Sequence, residues 1–432
     1  MRVRYCQCMH SRLIDIAEWM SAAVQATAVH TKMPARVKNV ITLLLFVGLG
    51  YVGYTLLELR RKTIHSHRHD AFAEYLRVSG TDVSRDQGPP APISPDATPI
   101  DVRSDKCRRQ RYINVERLTA TVVVDVPGTG IDLKQFHSTV DSLLVGAQAL
   151  VDEVIVVASG LHGPVATQLD YYLSSLGVSG RLIRNAGAGQ AASRVAGAKL
   201  AKSPVVVFAN WRVVGTVGWL RPLLGTLAFK PSAIVMPHLN DASDPTAFVT
   251  TPERLLAEYT WPLSVRMVEN ASAVPTSHGL YRSPALRGDI FAVRRDFWSQ
   301  LGGYDENLGE DSAAANLELS IRAWQCGSGE AAGSILMHQC SHIGISNIRE
   351  VERVIKPDSV KHIARQWFGN RRTIMMRSIG LANDPDDVLL PVKLDDCRSI
   401  DTYFNDIAFV PFPSSEAIRF GQLQTSAGML LA

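Results

Sequence analysis

The chain has 432 residues, 46% of them hydrophobic and 20% charged, with a formal net charge of +4. This composition can bury at least one core of full domain size. The basic residues are scattered along the chain, which leaves a nucleic-acid-binding role without support.

Residues 1–39 read as a tail with one amphipathic stretch, Leu13 to Val29. Val40 to Leu57 (VITLLLFVGLGYVGYTLL) contains no charge. At 1.5 Å per residue such a run spans roughly 27 Å, enough to cross a bilayer core. It begins too deep in the chain to be a cleavable signal peptide, so a single-pass anchor is expected, held by lipid through this one helix. Lys32, Arg36 and Lys38 precede the run, and Arg60, Arg61, Lys62 and Arg68 follow it, so the positive-inside balance sets no orientation. The cysteines do. Cys6 and Cys8 lie before the run, while Cys107, Cys326, Cys340 and Cys397 lie after it. An even set suits two disulfides in an oxidising lumen. The expectation is a cytoplasmic tail, a transmembrane helix over 40–57 and a lumenal domain.

Residues 58–106 read as a stem, polar and Pro-rich (GPPAPISPDATP, 88–99). His65, His67 and His69 alternate there and read as a solvated segment rather than a metal site. From Leu118 apolar runs alternate with helical periods. TATVVVDV (119–126), EVIVVAS (153–159), RLIRN (181–185) and PVVVFAN (204–210) read as buried strands, with helices near Leu133–Leu150 and through Ala192–Ala201. This alternation predicts an α/β fold with a mostly parallel central sheet covered on both faces. Ligands bind such sheets at the carboxyl ends of the strands, which points to Ala158, Ser159 and Asn210 to Arg212. The GxGxxA run Gly187–Ala192 follows the third strand and has no acid at the spacing a dinucleotide fold needs, so it reads as a helix start.

Downstream, SPALRGDIFAVRRDFWSQLGGYDE (283–306) reads as a strand feeding an acidic loop. YDENLGEDSAAANLELSIRAWQCG (304–327) reads as that loop running into an amphipathic segment. These stretches resemble the second half of the catalytic domain of the polypeptide N-acetylgalactosaminyltransferases, Golgi enzymes that start mucin-type O-glycans. Asp101-Val102-Arg103 before Cys107, the run Gly218 to Leu224 (GWLRPLL), Trp261 with Leu263 and Arg266, and Cys397-Arg398 with Tyr403-Phe404 extend the resemblance over Asp101 to Pro413.

The resemblance implies a GT-A glycosyltransferase-like domain over 107–413, a tail over 414–432 without a lectin domain, and disulfides Cys107–Cys340 and Cys326–Cys397. Family members use Mn²⁺, held by an Asp-x-His motif and a later His, to neutralise the diphosphate of UDP-GalNAc. In this chain those ligand positions are Asn210, Arg212 and Ile345, so no metal cofactor is expected. The acidic pair that contacts the nucleotide is Ala158-Ser159, and a helix-start arginine is Ala192. The Ala-Gly-Gly of the donor floor is Arg287-Gly288-Asp289. The loop that covers the sugar is Ser312-Ala313-Ala314-Ala315, before Asn316. His238 and Asp241 near the next strand's end read as exposed loop groups rather than substitute ligands, and His342 carries no compensation.

The expected function is thus a Golgi type II membrane protein with an N-acetylgalactosaminyltransferase fold whose metal-dependent transfer is lost. It would act by pairing with an active relative or by holding acceptor peptide. One alternative is a metal-independent or altered-donor transferase in which Arg212, Arg266 and Arg287 face the diphosphate of a UDP-sugar. Another is a membrane-tethered scaffold whose cleft is plugged by Trp211 or Arg287. Asn270-Ala271-Ser272 is an acceptor sequon for N-glycosylation if the domain is lumenal.

Overall fold

The structure is a computed structural model that describes residues 99–185, 189–242, 255–260, 263–269, 279–309, 311–326, 333–345, 353–378, 397–408, 423–424 and 430–431. The tail 1–39, the apolar run 40–57, the stem up to residue 98 with its three histidines, Trp261, the sequon at Asn270 and most of 414–432 lie outside the described residues. Among the described residues no helix is long and apolar enough to cross a membrane.

Every residue of Ala120–Val126 (β1) is buried, as a strand covered on both faces requires. The short helix Asp105–Arg109 (α1) precedes it. After it come Leu133–Ala147 (α2), Val151–Ser159 (β2), Pro164–Ser174 (α3), Ser179–Asn185 (β3), Gly189–Leu200 (α4) and Val205–Asn210 (β4). Asp132 caps α2 by accepting the Lys134 and Gln135 N–H groups at 2.9 and 3.3 Å. β1 pairs in parallel with β2 and β4, and β2 with β3. The GxGxxA run ends inside the first turn of α4, in agreement with its reading as a helix start.

The second half continues with Val213–Gly215 (β5), Leu220–Phe229 (α5), Ala233–Asp241 (β6), Leu255–Thr260 (β7), Ser264–Glu269 (β8), Leu280–Arg282 (β9), Ile290–Arg294 (β10) and Arg295–Leu301 (α6). Ser312–Gln325 (α7), Ser334–Ile345 (β11), Arg353–Val354 (β12), Pro357–Trp367 (α8), Arg372–Ser378 (α9) and Ile400–Tyr403 (α10) follow. The main sheet has nine strands in the order β3-β2-β1-β4-β10-β6-β11-β5, with β9 also on β11. It is mixed rather than mostly parallel. β10 is antiparallel to both β4 and β6, and β5 and β9 are antiparallel to β11. Along the chain β10 follows β7 and β8, which belong to a separate sheet with β12, and β9, which lies on β11.

Side-chain alternation along β1 divides the interior into two cores. Val122 and Val124 belong to the one that includes Phe136, Leu169 and Leu223 of α2, α3 and α5. Val123 belongs to the other, with Val195, Phe297, Leu317 and Ile363 of α4, α6, α7 and α8. The segment 304–327 departs from its reading. α7 is buried along nearly its whole length rather than amphipathic, as befits a helix enclosed by the sheet and α8. Both expected disulfides are present. Cys107–Cys340 ties α1 to β11, and Cys326–Cys397 ties the end of α7 to the segment before α10.

The two halves meet through a buried polar chain. α4 lies close on the sheet, since a Cβ at Gly197 would fall 2.4 Å from Val123 Cγ1. From it Arg194, with no exposed surface, donates through Nε to Asp125 Oδ1 at 2.7 Å and through Nη1 to the Tyr304 hydroxyl at 3.2 Å. Gln190 Nε2 donates to the second Asp125 oxygen at 2.9 Å. Tyr304 donates in turn to Asn316 Oδ1 at 2.7 Å, and Asn316 Nδ2 to the Arg287 carbonyl at 3.3 Å. Burial pushes the Tyr304 hydroxyl up to about 12 against the pull of Arg194. Arg194→Met leaves Asp125 buried without its cation and is expected to cost about 3–5 kcal/mol in urea unfolding. Adding Asp125→Leu is expected to recover part of that loss.

β11 adds a second constraint. His338 Nδ1 accepts the Cys340 N–H at 3.1 Å, and His342 Nδ1 lies 3.2 Å from Asn240 Oδ1. Burial lowers both imidazoles to about 3, with His342 acting on His338 and His238 on His342. Both are therefore neutral when folded, whereas an unfolded histidine titrates near about 6.5. Their contribution is complete above that value and is lost as pH falls from it toward 3. Urea unfolding between neutral and mildly acidic pH is expected to take up as many as about two protons on their account. The variant H338Q/H342Q should flatten that slope.

Candidate functional site

The carboxyl ends of β1 to β4 lie side by side, with Asp125 in register with Asn210, Val126 with Ala158 and Ser159 with Asn185. Ala158 is fully buried, its methyl group part of the core. Ser159 Oγ sits 2.9 Å from Ser193 Oγ on α4. The loop after β1 rests directly on this end of β2, because a Cβ at Gly128 would lie 1.9 Å from the Ser159 carbonyl oxygen. Ala192 is half-buried in the first turn of α4, between Gln190 and Arg194, both of which reach Asp125. The strand ends therefore carry one carboxylate, and Arg194 neutralises it.

The structure brings the three expected metal positions together. Asn210 ends β4, Arg212 follows in a tight turn, and Ile345 at the end of β11 pairs with Val213 of β5. Their chemistry does not fit a divalent cation. Asn210 Oδ1 accepts the Arg212 N–H at 3.0 Å, closing the turn, and its own N–H donates to the Asp289 carbonyl at 2.7 Å. Arg212 is exposed, with its guanidinium 4.5 Å from the centre of the Trp211 ring. Ile345 is buried in the core and offers no lone pair. Mn²⁺ needs oxygen or nitrogen donors, and these positions supply one amide already engaged, a cation and a hydrocarbon. Among the described residues no group of three or more His, Cys, Asp and Glu side chains converges on one point.

His238 differs from its reading as an exposed loop group. It lies within β6, is buried, stands in register with His342 and places Nδ1 3.2 Å from Asn240 Oδ1. Its position in an interior strand, not a loop, accounts for the difference. The backbone of Asp241 closes β6 and that of Arg266 lies in β8, while both side chains lie outside the described residues.

Arg287, Gly288 and Asp289 form a compact buried floor. The Arg287 guanidinium and the Asp289 carboxylate pair with each other, their side chains only 7% and 10% exposed. Gly288 has φ +86°, and a Cβ there would fall 2.1 Å from Asn316 Nδ2, so no larger residue fits. Ser312 to Ala315 is not a loop but the first turn of α7. Asp311 Oδ1 caps it by accepting the Ala314 N–H at 3.0 Å, and Oδ2 accepts the Lys356 N–H at the start of α8 at 2.8 Å. Three consecutive alanines favour helix there. Trp211 is also buried, and its carbonyl accepts from the Thr139 hydroxyl at 2.7 Å.

Four members of the buried network, Asp125, Gln190, Arg194 and Tyr304, escape the sequence reading. Two signals mark them: Asp125 is the one acid in an otherwise apolar strand, and Arg194 the one arginine in a helix rich in alanine and glycine.

No protein-family model matches the chain. Inactive polypeptide N-acetylgalactosaminyltransferase-like protein 5 of Macaca fascicularis is 27% identical over 342 residues, covering 73% of this chain and 72% of that protein. Probable N-acetylgalactosaminyltransferase 9 of Caenorhabditis elegans is 28% identical over 264 residues, covering 58% and 44%. Polypeptide N-acetylgalactosaminyltransferase 4 of Mus musculus is 32% identical over 215 residues, covering 48% and 36%. The chain thus spans less than half the length of the last two relatives. Among solved structures, that of GalNAc-T7 with UDP, GalNAc and Mn²⁺ superposes with a TM-score of 0.60 at 20% identity, covering 73% of this chain and 61% of that one. At that identity the likeness bears on the fold alone, a mixed α/β arrangement of GT-A type. The chain is therefore similar in sequence to polypeptide N-acetylgalactosaminyltransferases and to an inactive-like relative of them, and similar in fold to GalNAc-T7.

Proposed function

We propose that this chain is a polypeptide N-acetylgalactosaminyltransferase-like protein of mucin-type O-glycosylation that performs no metal-dependent sugar transfer and acts by binding. The observation that carries this reading is the set Asn210, Arg212 and Ile345, adjacent in space and unsuited to a cation. GalNAc-T7 was crystallised with UDP, GalNAc and Mn²⁺. Without a cation, the charge that develops on a departing diphosphate has no metal to neutralise it. The buried floor adds to the argument, because Asp289 takes up the charge of Arg287. An active relative or an acceptor peptide is then the partner. The apolar run 40–57 and the two disulfides support a lumenal domain on a type II anchor in the Golgi membrane.

A second reading keeps the chain a metal-independent transferase of a UDP-sugar. Arg212 favours it, as an exposed cation at the strand ends. The burial of Trp211 and Arg287 favours instead the scaffold with a filled cleft.

Titration calorimetry of the protein with UDP, with and without Mn²⁺, is expected to give no metal-dependent heat. Incubation with UDP-GalNAc, Mn²⁺ and Thr-rich peptides should give no product above blank, and robust turnover overturns the proposal. The second reading makes its own demand. A UDP-sugar would raise the melting temperature in the presence of chelator, and Arg212→Ala would abolish the rise. The absence of any rise removes that reading.

A further inference from the structure

Two cavities open on the α4, α6 and α8 side of the sheet. The first, about 610 Å³, lies at the amino end of β4, where Pro204 precedes the strand and Arg294 pairs with Val205. The second, about 340 Å³, lies between α8 and the turn Glu306–Leu308. That one turn separates them. Lys199 lines the first cavity and sits 3.9 Å from Glu306, while the next residues, Asn307 and Leu308, line the second. Both volumes fall within the size range of ligand sites.

Folding gathers here charges that are scattered in the sequence. Lys199, Arg294 and Arg295 line the first cavity against one acid, Asp296, which lies 3.5 Å from Arg294 Nε. Lys361 and Arg365, one helical turn apart, line the second together with Asp358 among the described residues. His362 beside them is held by Asp305 at 2.8 Å, and Glu306 stands on the wall between the cavities. Val195, Ala198, Pro204 and Trp298 give the first cavity an apolar lining. Trp298 is only 5% exposed, packed among Phe208, Phe291 and Tyr304. A ring so enclosed offers no open face for a sugar or a base to stack on.

We propose that the two cavities form one binding site for an acidic peptide segment laid across the Glu306–Leu308 turn. An apolar side chain would seat in the first cavity, with carboxylates meeting Lys199 and Arg294 on one side and Lys361 and Arg365 on the other. Arginine forks and lysine suit carboxylates. The inference goes beyond the function proposed above and stands whether or not the strand-end site transfers sugar.

The test is fluorescence anisotropy of the full-length protein with a labelled Glu/Asp-rich peptide carrying one leucine, beside a Gln/Asn peptide of equal length. The acidic peptide should bind at least about 10-fold more tightly, and the preference should shrink with salt. Lys199→Glu and Lys361→Glu should each weaken binding by about 10-fold or more, and both together further still. Lys199→Gln and Lys361→Gln, with melting curves, control for folding and should give smaller losses in the same direction. Equal binding of the two peptides, or charge-reversal variants that fold and bind unchanged, overturns the proposal. So does a sulfated oligosaccharide that binds at this site where the acidic peptide does not.

Discussion

The fold depends on how one buried arginine is accommodated. A guanidinium with no exposed surface is costly unless its charge is matched, and here Nε and Nη1 are engaged while Nη2 has no hydrogen-bond partner among the described residues. Asp125 supplies the match at 2.7 Å, and Tyr304 takes a second donor. Because Asp125 is the penultimate residue of β1, Arg194 belongs to α4 and Tyr304 follows α6, this single charge fixes how the first half of the domain meets the second. The relay through Asn316 then reaches the Arg287 carbonyl, so the same network sets the floor of the candidate site. A site built on this floor is held by the core itself. Changing one member disturbs packing and pocket together.

What was legible in the sequence follows from which physics leaves a periodic trace. β1, β2 and β4 announce themselves as largely apolar runs because both faces are covered, and their observed bounds differ from the reading by two residues at most. Strand direction leaves no such trace. Ile290–Arg294 looks like any other buried strand, yet it runs antiparallel to β4 and β6. The misread of Ser312–Ala315 has a local cause: a loop was expected from likeness, while Asp311 followed by serine and three alanines is a capped helix on propensity alone. The disulfides, long-range pairings across 233 and 71 residues, came from resemblance and no periodicity contains them.

The candidate site was legible as a set of positions and much less as a set of contacts. Resemblance singles out Asn210, Arg212 and Ile345 as one set, and the β5–β11 pairing sets Ile345 opposite Val213, the residue after Arg212. It gave no hint that Asn210 Oδ1 would close its own turn, or that Arg287 would turn to Asp289 two residues on rather than outward. The first is a side-chain-to-backbone bond that asparagine makes locally wherever geometry allows, and the second is an ion pair between residues two apart.

That second contact bears on what a restored metal set would accomplish. Suppose an aspartate and two histidines replaced Asn210, Arg212 and Ile345. A nucleotide diphosphate would still approach a floor where Asp289 is held beside Arg287, in a pocket whose side chains are about nine-tenths buried. In such surroundings a carboxylate close to a phosphate is strongly unfavourable unless its cation stays with it. Arg287 already neutralises Asp289, and this buried pair leaves less of its charge to face a donor. The loss proposed for this chain thus has two physically separate causes, absent metal donors and a floor whose charge is internally consumed. Repairing the donors alone leaves the second in place.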